Sequence, residues 1–200
     1  MNPSVSPRCH HRRGGRLRSS QGGATLIEVL VSVVIVLVAL LGTAGMVARS
    51  GQSEMESYQR GQALTLLQDM VARLNANRQV IGCYANGPNA TVAGTVTVPP
   101  AACTAGTDAQ RAVATADLAS WGAALQGSAE SDGGTKVGAM IGALGCIETI
   151  DPVTQTYRVT VAWQGLAKTG APALPCGQNR YGDDANRRAV SVQVRIGVLS

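Results

Sequence analysis

Phenylalanine is absent from the chain, and two tryptophans and four tyrosines supply all the aromatic surface. A core built here rests on Val, Leu, Ile and Ala and stays small. Histidine occurs only as His10 and His11, at the extreme start. A product trimmed of its first residues holds no histidine, which excludes Ser–His and Cys–His nucleophile pairs. P-loop, HExxH, GxSxG and dinucleotide fingerprints are missing. So are CxxC and paired Cys/His spacings, which leaves zinc and c-type haem without a ligand set. The adjacent Asp183 and Asp184 are too few for calcium without further ligands. They read as a solvated loop balanced by Arg187 and Arg188. No catalytic residue, metal or cofactor is expected.

Acidic residues are also absent where the basic ones gather. Arg8, Arg12, Arg13, Arg16 and Arg18 precede Gly22 without a single carboxylate. Outside those five, twelve basic side chains face twelve acidic ones, so the net charge of +5 belongs to a leader and not to a binding surface. With no basic patch interleaved with aromatics, nucleic-acid binding is disfavoured.

What the chain does have is a long apolar run. Val29 to Ala48 carries no charge, and only Ser32 and Thr43 are polar there. About twenty helical residues span about 30 Å, the thickness of a bilayer's hydrocarbon core. The arginines on its N-terminal side place that side in the cytoplasm and export the rest. A secretory signal cut near Ala44 or Ala48 is one reading, but its apolar core is shorter than this run and tolerates Glu28 poorly. A plain signal anchor explains the span and leaves Glu28 unexplained.

The stretch Gly23-Ala24-Thr25-Leu26-Ile27-Glu28-Val29-Leu30, with its basic leader and the apolar helix after it, resembles the prepilin peptidase motif of type IV pilins and type II secretion pseudopilins. It departs from the usual pattern at Ala24, where Phe is common. The resemblance implies cleavage by prepilin peptidase between Gly23 and Ala24 and N-methylation of the new amine on Ala24. It also implies that Glu28 faces the amine of a neighbouring subunit. A carboxylate in hydrocarbon is costly and has a partner as a rule, and pairing two buried charges also sets register. In a lone membrane-resident copy, Glu28 instead snorkels and favours the helix N-terminus.

Beyond Ala48 the sequence turns polar without a helix stop. Met55, Tyr58, Leu66, Met70 and Leu74, flanked by Leu67 and Val71, form an amphipathic stripe. The helix is predicted from about Leu26 to Asn77, roughly 75–80 Å long. Gly42, Gly45, Gly51 and Gly61 weaken it, and the Gly42–Gly45 stretch suits close helix approach or local melting. Residues 78–107 read as loop, with Asn86-Gly87-Pro88-Asn89 and Pro99-Pro100 as turn signals. Asp108 is the predicted N-cap of a second helix, about Ala109 to Gln126, with Val113, Asp117, Leu118, Trp121 and Leu125 on one face. Core packing is the expected use of that face. Residues 128–135 read as a linker.

The period then becomes two. Strands are predicted at Ala143–Ile150, Gln155–Trp163 and Ala189–Val198, with a turn at Asp151-Pro152. Tyr157, Val159, Val161 and Trp163 share one side, and Val190, Val192, Val194, Ile196 and Val198 share another. These suit an antiparallel meander apolar on one side only, covered by the Met55–Leu74 stripe. The fold class is α+β and pilin-like: a long N-terminal helix, membrane-spanning in its first half, packed on a small antiparallel sheet, plus a second short helix. The expected organisation is a leader over 1–23, a transmembrane half-helix over 24–48, an amphipathic half over 49–77 and a periplasmic head over 78–200.

Cys9 lies in the leader; Cys83, Cys103, Cys146 and Cys176 lie beyond the apolar run. Four widely spaced cysteines past a membrane segment read as two disulfides in an oxidising compartment, against four buried thiols. Three pairings are open. Cys83–Cys103 and Cys146–Cys176 are preferred because each closes a loop between predicted elements, contributing on the order of 3–4 kcal/mol apiece.

Further blocks resemble a minor pilin of type IV pili. These are Leu74-Asn75-Ala76-Asn77, Asp117-Leu118-Ala119-Ser120-Trp121, Tyr157 to Gly165, and Cys176 to Arg188 with its Tyr181-Gly182-Asp183-Asp184. The resemblance implies a non-enzymatic subunit, anchored once in the inner membrane with its head in the periplasm and then built into a fibre at the cell surface. Its partners are then prepilin peptidase, other major and minor pilins and the pilus assembly machinery, with pilus assembly, twitching motility and adhesion as its setting. A minor pseudopilin of type II secretion is the alternative. A membrane-anchored periplasmic enzyme or ligand-binding domain is the alternative of another class.

Overall fold

The computed structural model describes residues 22–85, 103–127, 131–132, 135–136, 138 and 140–197. Two compact units divide the chain, one ending at Met46 and the other beginning at Val47. In the first, helix α1 starts at Leu26 and leaves its apolar side chains exposed, from Leu26 to Met46. An 18-residue window within α1 reaches a mean hydropathy of 2.8, so this helix is long and apolar enough to cross a membrane. The two hydroxyls in the run bond back to their own helix: Ser32 donates to the Glu28 carbonyl at 2.7 Å and Thr43 to that of Leu40 at 2.9 Å. That local bonding satisfies groups which lipid cannot. The helix runs unbroken through Gly42, Gly45, Gly51 and Gly61 to Ala76, so no melting is present at the glycines.

In the second unit, α1 buries Gln59, Ala63, Leu67, Met70 and Leu74. The stripe is shifted from the expected one: Met55 and Tyr58 are exposed, while Gln59 is buried. Gln59 is inside because the Trp163 indole needs an acceptor there, and Trp163 Nε1 donates to Gln59 Oε1 at 3.2 Å. A short 3₁₀ helix, Arg78–Cys83, follows where loop was predicted. Val80 and Ile81 are buried in it, which explains why the chain stays ordered past the helix end. The turn signals at 86–89 and 99–100 lie outside the described residues.

Helix α2 spans Asp108–Leu125. Its N-cap is Thr107 and not Asp108: Thr107 and Gln110 bond reciprocally in a capping box. Ala114, Leu118, Trp121 and Leu125 are buried, whereas Val113 is half exposed. The predicted linker after α2 holds two paired two-residue strands, β1 (Ser131–Asp132) and β2 (Thr135–Lys136). The main sheet is an antiparallel meander of β3 (Ile141–Asp151), β4 (Thr156–Gln164) and β5 (Arg187–Arg195), in the order β3-β4-β5. Val198 lies outside the described residues.

One core joins α1, α2 and the inner face of the sheet. It includes Leu67, Met70, Leu74, Leu118, Trp121, Ile147, Val159, Val161 and Trp163. Trp121 marks the junction. Its ring lies on Gly145 of β3, so closely that a Cβ there would fall 2.2 Å from the ring. Its Nε1 donates to the Leu66 carbonyl of α1 at 2.8 Å.

The outer face is not bare, contrary to the one-sided pattern expected. Leu144, Cys146, Ala162 and Cys176 form a second small cluster, with Tyr181 and Ala189 packed against it. The segment between β4 and β5 covers it. Two bridges fix the loops: Cys83–Cys103, 20 residues apart, and Cys146–Cys176, 30 apart.

Candidate functional site

The amino-terminal segment combines three features. Gly22 to Thr25 is non-helical, and the helix begins at Leu26. The Thr25 carbonyl accepts from the amides of Glu28 at 3.0 Å and Val29 at 3.2 Å, and Thr25 Oγ1 accepts from the Glu28 amide at 3.4 Å. Thr25 thus caps α1, and Thr25-x-x-Glu28 has capping-box spacing. The Thr-x-x-Glu spacing is itself a sequence signal for this helix start. A cap three residues before the helix's first acid starts the helix at Leu26, two residues past the Gly23–Ala24 bond. That bond therefore lies in non-helical chain.

Glu28 is in the first turn, exposed, and on a shallow groove of α1 shared with Ala24, Ser32 and Val33. No hydrogen bond or ion pair reaches its carboxylate among the described residues. Within the first unit the carboxylate is therefore available, surrounded by Val29, Val33 and Leu37, side chains that favour lipid or another helix. The arginines at 8–18 lie outside the described residues.

Polar side chains of the head hold its elements together. Asp117 joins the two helices: Arg73 Nη1 reaches Asp117 Oδ1 at 2.9 Å, and the Tyr84 hydroxyl donates to Asp117 Oδ2 at 2.7 Å. Arg73 also bonds Asp69 at 2.9 Å. Burial, aided by the Asp117 charge, pushes the Tyr84 hydroxyl pKa well above its ordinary range, so Tyr84 stays a donor. Asn77, at the helix end, donates to the Gln110 carbonyl at 2.9 Å.

Arg187 is the hub of the outer face. It is 1% exposed, yet every guanidinium nitrogen has a partner. Nε and Nη2 grip the two oxygens of Asp184, each at 2.7 Å. Nη1 donates to the carbonyls of Leu174 and Cys176, and Nη2 to that of Pro172. The grip holds the Asp184 carboxyl below its ordinary pKa. Asp183 pairs with Lys168 at 2.8 Å, and the Lys168 hydrogen bond lowers its pKa too. Arg188 turns away from both acids to Glu56 of α1, at 3.1 Å. The expected balance of acids by Arg187 and Arg188 is thus half right: Arg187 serves Asp184, and Lys168 replaces Arg188. Among the described residues no three His, Cys, Asp or Glu side chains converge on a metal-sized site.

Residues 18–44 match the prokaryotic N-terminal methylation motif. No curated protein and no solved structure matches the chain. The match covers the end of the basic stretch, the non-helical Gly22–Thr25 and α1 as far as Ala44. Together with the apolar helix it supports a pilin-like protein, a type IV pilin or pseudopilin processed by prepilin peptidase.

Proposed function

We propose that this chain is a minor type IV pilin similar to PilV, the type IV pilus modification protein. Prepilin peptidase removes residues 1–23 by cutting between Gly23 and Ala24, and the Ala24 amine is methylated. Residues 24–48 hold the subunit in the inner membrane, with its N-terminus cytoplasmic and residues 78–200 in the periplasm. The subunit then enters or primes the pilus alongside major and minor pilins, in support of assembly, motility and adhesion. The observation that carries the reading is the methylation motif at 18–44, placed where a capped helix begins and an unpaired acid follows.

In the fibre, Glu28 pairs with the amine of a neighbouring subunit. A cation and an anion share the removal from water, and each supplies the other's missing partner. The resemblance of residues 117–121, 157–165 and 176–188 to PilV is what favours a pilus over a secretion pseudopilus. Glu28→Gln tests the role. Processing at Gly23 is expected to continue, while incorporation into fibres falls at least about tenfold, since an unpaired buried charge costs several kcal/mol. Incorporation at the wild-type level removes Glu28 from assembly. Recovery of the chain from secretion pseudopili, and not from pili, favours the pseudopilin reading.

A further inference from the structure

Strand β5 is an edge, and its central part is unguarded. Among the described residues it pairs only with β4. Its register against β4 runs from Thr156↔Arg195 to Gln164↔Arg187 without a shift, so no bulge twists the edge away. Natural edges are blunted by Pro, Lys or bulges. Ala189 to Val194 has no such device and no charge. Arg187 and Arg188, which could guard the start, are turned to Asp184 and Glu56.

The apolar cover is also one strand short. On the inner face, Val159 and Val161 of β4 are fully buried, but Val192 of β5 is 37% exposed. Leu64, on the flank of α1 that also carries Ser57 and Arg60 at helical spacing, is 42% exposed. At the start of β5 this flank opens into a cavity of about 300 Å³ lined by Ser53, Glu56, Ser57, Arg60, Trp163 and Arg188 among others. It holds two cations and one acid. Glu56 is taken by Arg188, and no acceptor bonds Arg60 among the described residues.

We propose that the outer edge of β5 accepts a strand from a neighbouring pilin-like subunit, with an acidic side chain of that strand seated against Arg60. Outward amides and carbonyls of an edge are matched only by extended backbone. The apolar side chains of such a strand cover Val192 and Leu64, and its carboxylate completes the cavity's charge. Charge separates this occupant from the chain's own residues 86–102, which contain no Asp or Glu. The proposal rests on the fibre-subunit reading above.

The test is a benzophenone amino acid at Gln193, an exposed edge position, in the full-length chain in cells that assemble the fibre. The expected adduct is with another subunit that carries an N-terminal methylation motif, mapped to an extended segment containing Asp or Glu. Arg60→Glu is expected to lower the adduct yield about tenfold through like-charge repulsion, while Arg60→Lys retains it. Val192→Lys, which charges the edge without touching the cavity, is expected to lower it similarly. An adduct with residues 86–102 of the same chain, a yield indifferent to Arg60→Glu, or no adduct overturns the proposal. The N-terminus is read in the same samples. Processing at Gly23 with no adduct sinks strand addition alone; an intact leader sinks the fibre-subunit reading and this proposal with it.

Discussion

Replacing Arg187 by Met removes the buried cation that ties the β4–β5 segment to the sheet. The methionine fills much of the same volume, so the loss isolates the guanidinium. Three carbonyls, of Pro172, Leu174 and Cys176, lose their donor, and Asp184 loses a bidentate partner. Each unsatisfied buried acceptor costs about 1–3 kcal/mol. Asp184 is 24% exposed at its side chain, so water recovers part of its share. Breaking a buried pair by removing one partner costs about 3–5 kcal/mol, and that is the expected loss. Urea unfolding of the mature chain in detergent micelles, followed by Trp121 and Trp163 fluorescence, measures it as a shifted midpoint with an unchanged slope. Because Cys176 also carries the bridge to Cys146, Arg187→Met and loss of that disulfide are expected to be non-additive. A destabilisation under about 1 kcal/mol, or strict additivity, refutes the hub role of Arg187.

Two further outcomes follow from the same packing. Gly145→Ala drives a methyl into the Trp121 ring, and overpacking of this kind costs about 1–3 kcal/mol; a neutral effect in the same unfolding assay contradicts the Trp121 junction. Stability is also expected to fall at both ends of the pH range. Asp183 and Asp184 titrate below their ordinary 3.8 in the folded head, so their contribution is full above that value and is lost as pH drops through the lower folded values. Tyr84, Tyr157 and Tyr181 are raised above 10.0, chiefly by burial. Their contribution is full below pH 10.0 and declines as pH rises further. A urea midpoint that does not move between neutral pH and these extremes refutes the burial of the tyrosines and the pairing of the acids.

Periodicity made much of the fold legible. Leu67, Met70 and Leu74 recur at helical spacing, and Tyr157, Val159, Val161 and Trp163 alternate, so the helix and the middle strand could be read directly. The bridges Cys83–Cys103 and Cys146–Cys176 followed from which loops they close. What stayed hidden depends on tertiary partners. Gln59 is buried to serve the indole of Trp163, a residue 104 positions away, and no local pattern announces that. Arg187 alternates like a solvent-facing strand residue until the chain from Pro172 to Asp184 folds over it. Two-residue strands such as β1 and β2 are too short to show a period. The caps at Thr25 and Thr107 were legible, since both carry a Glu or Gln three residues on. At the amino terminus, Glu28 stood out because an acid beside an apolar run of twenty residues is costly in hydrocarbon.

The central claim is that Ala24 becomes the first residue of a subunit that keeps its apolar helix. Intact mass and N-terminal peptide analysis of the chain recovered from cells tests it most directly. The account predicts a polypeptide starting at Ala24, with a methyl group on its amine, and retaining the whole of Leu26 to Ala76. A chain that keeps the arginines at positions 8–18, or that begins beyond Ala44, contradicts it.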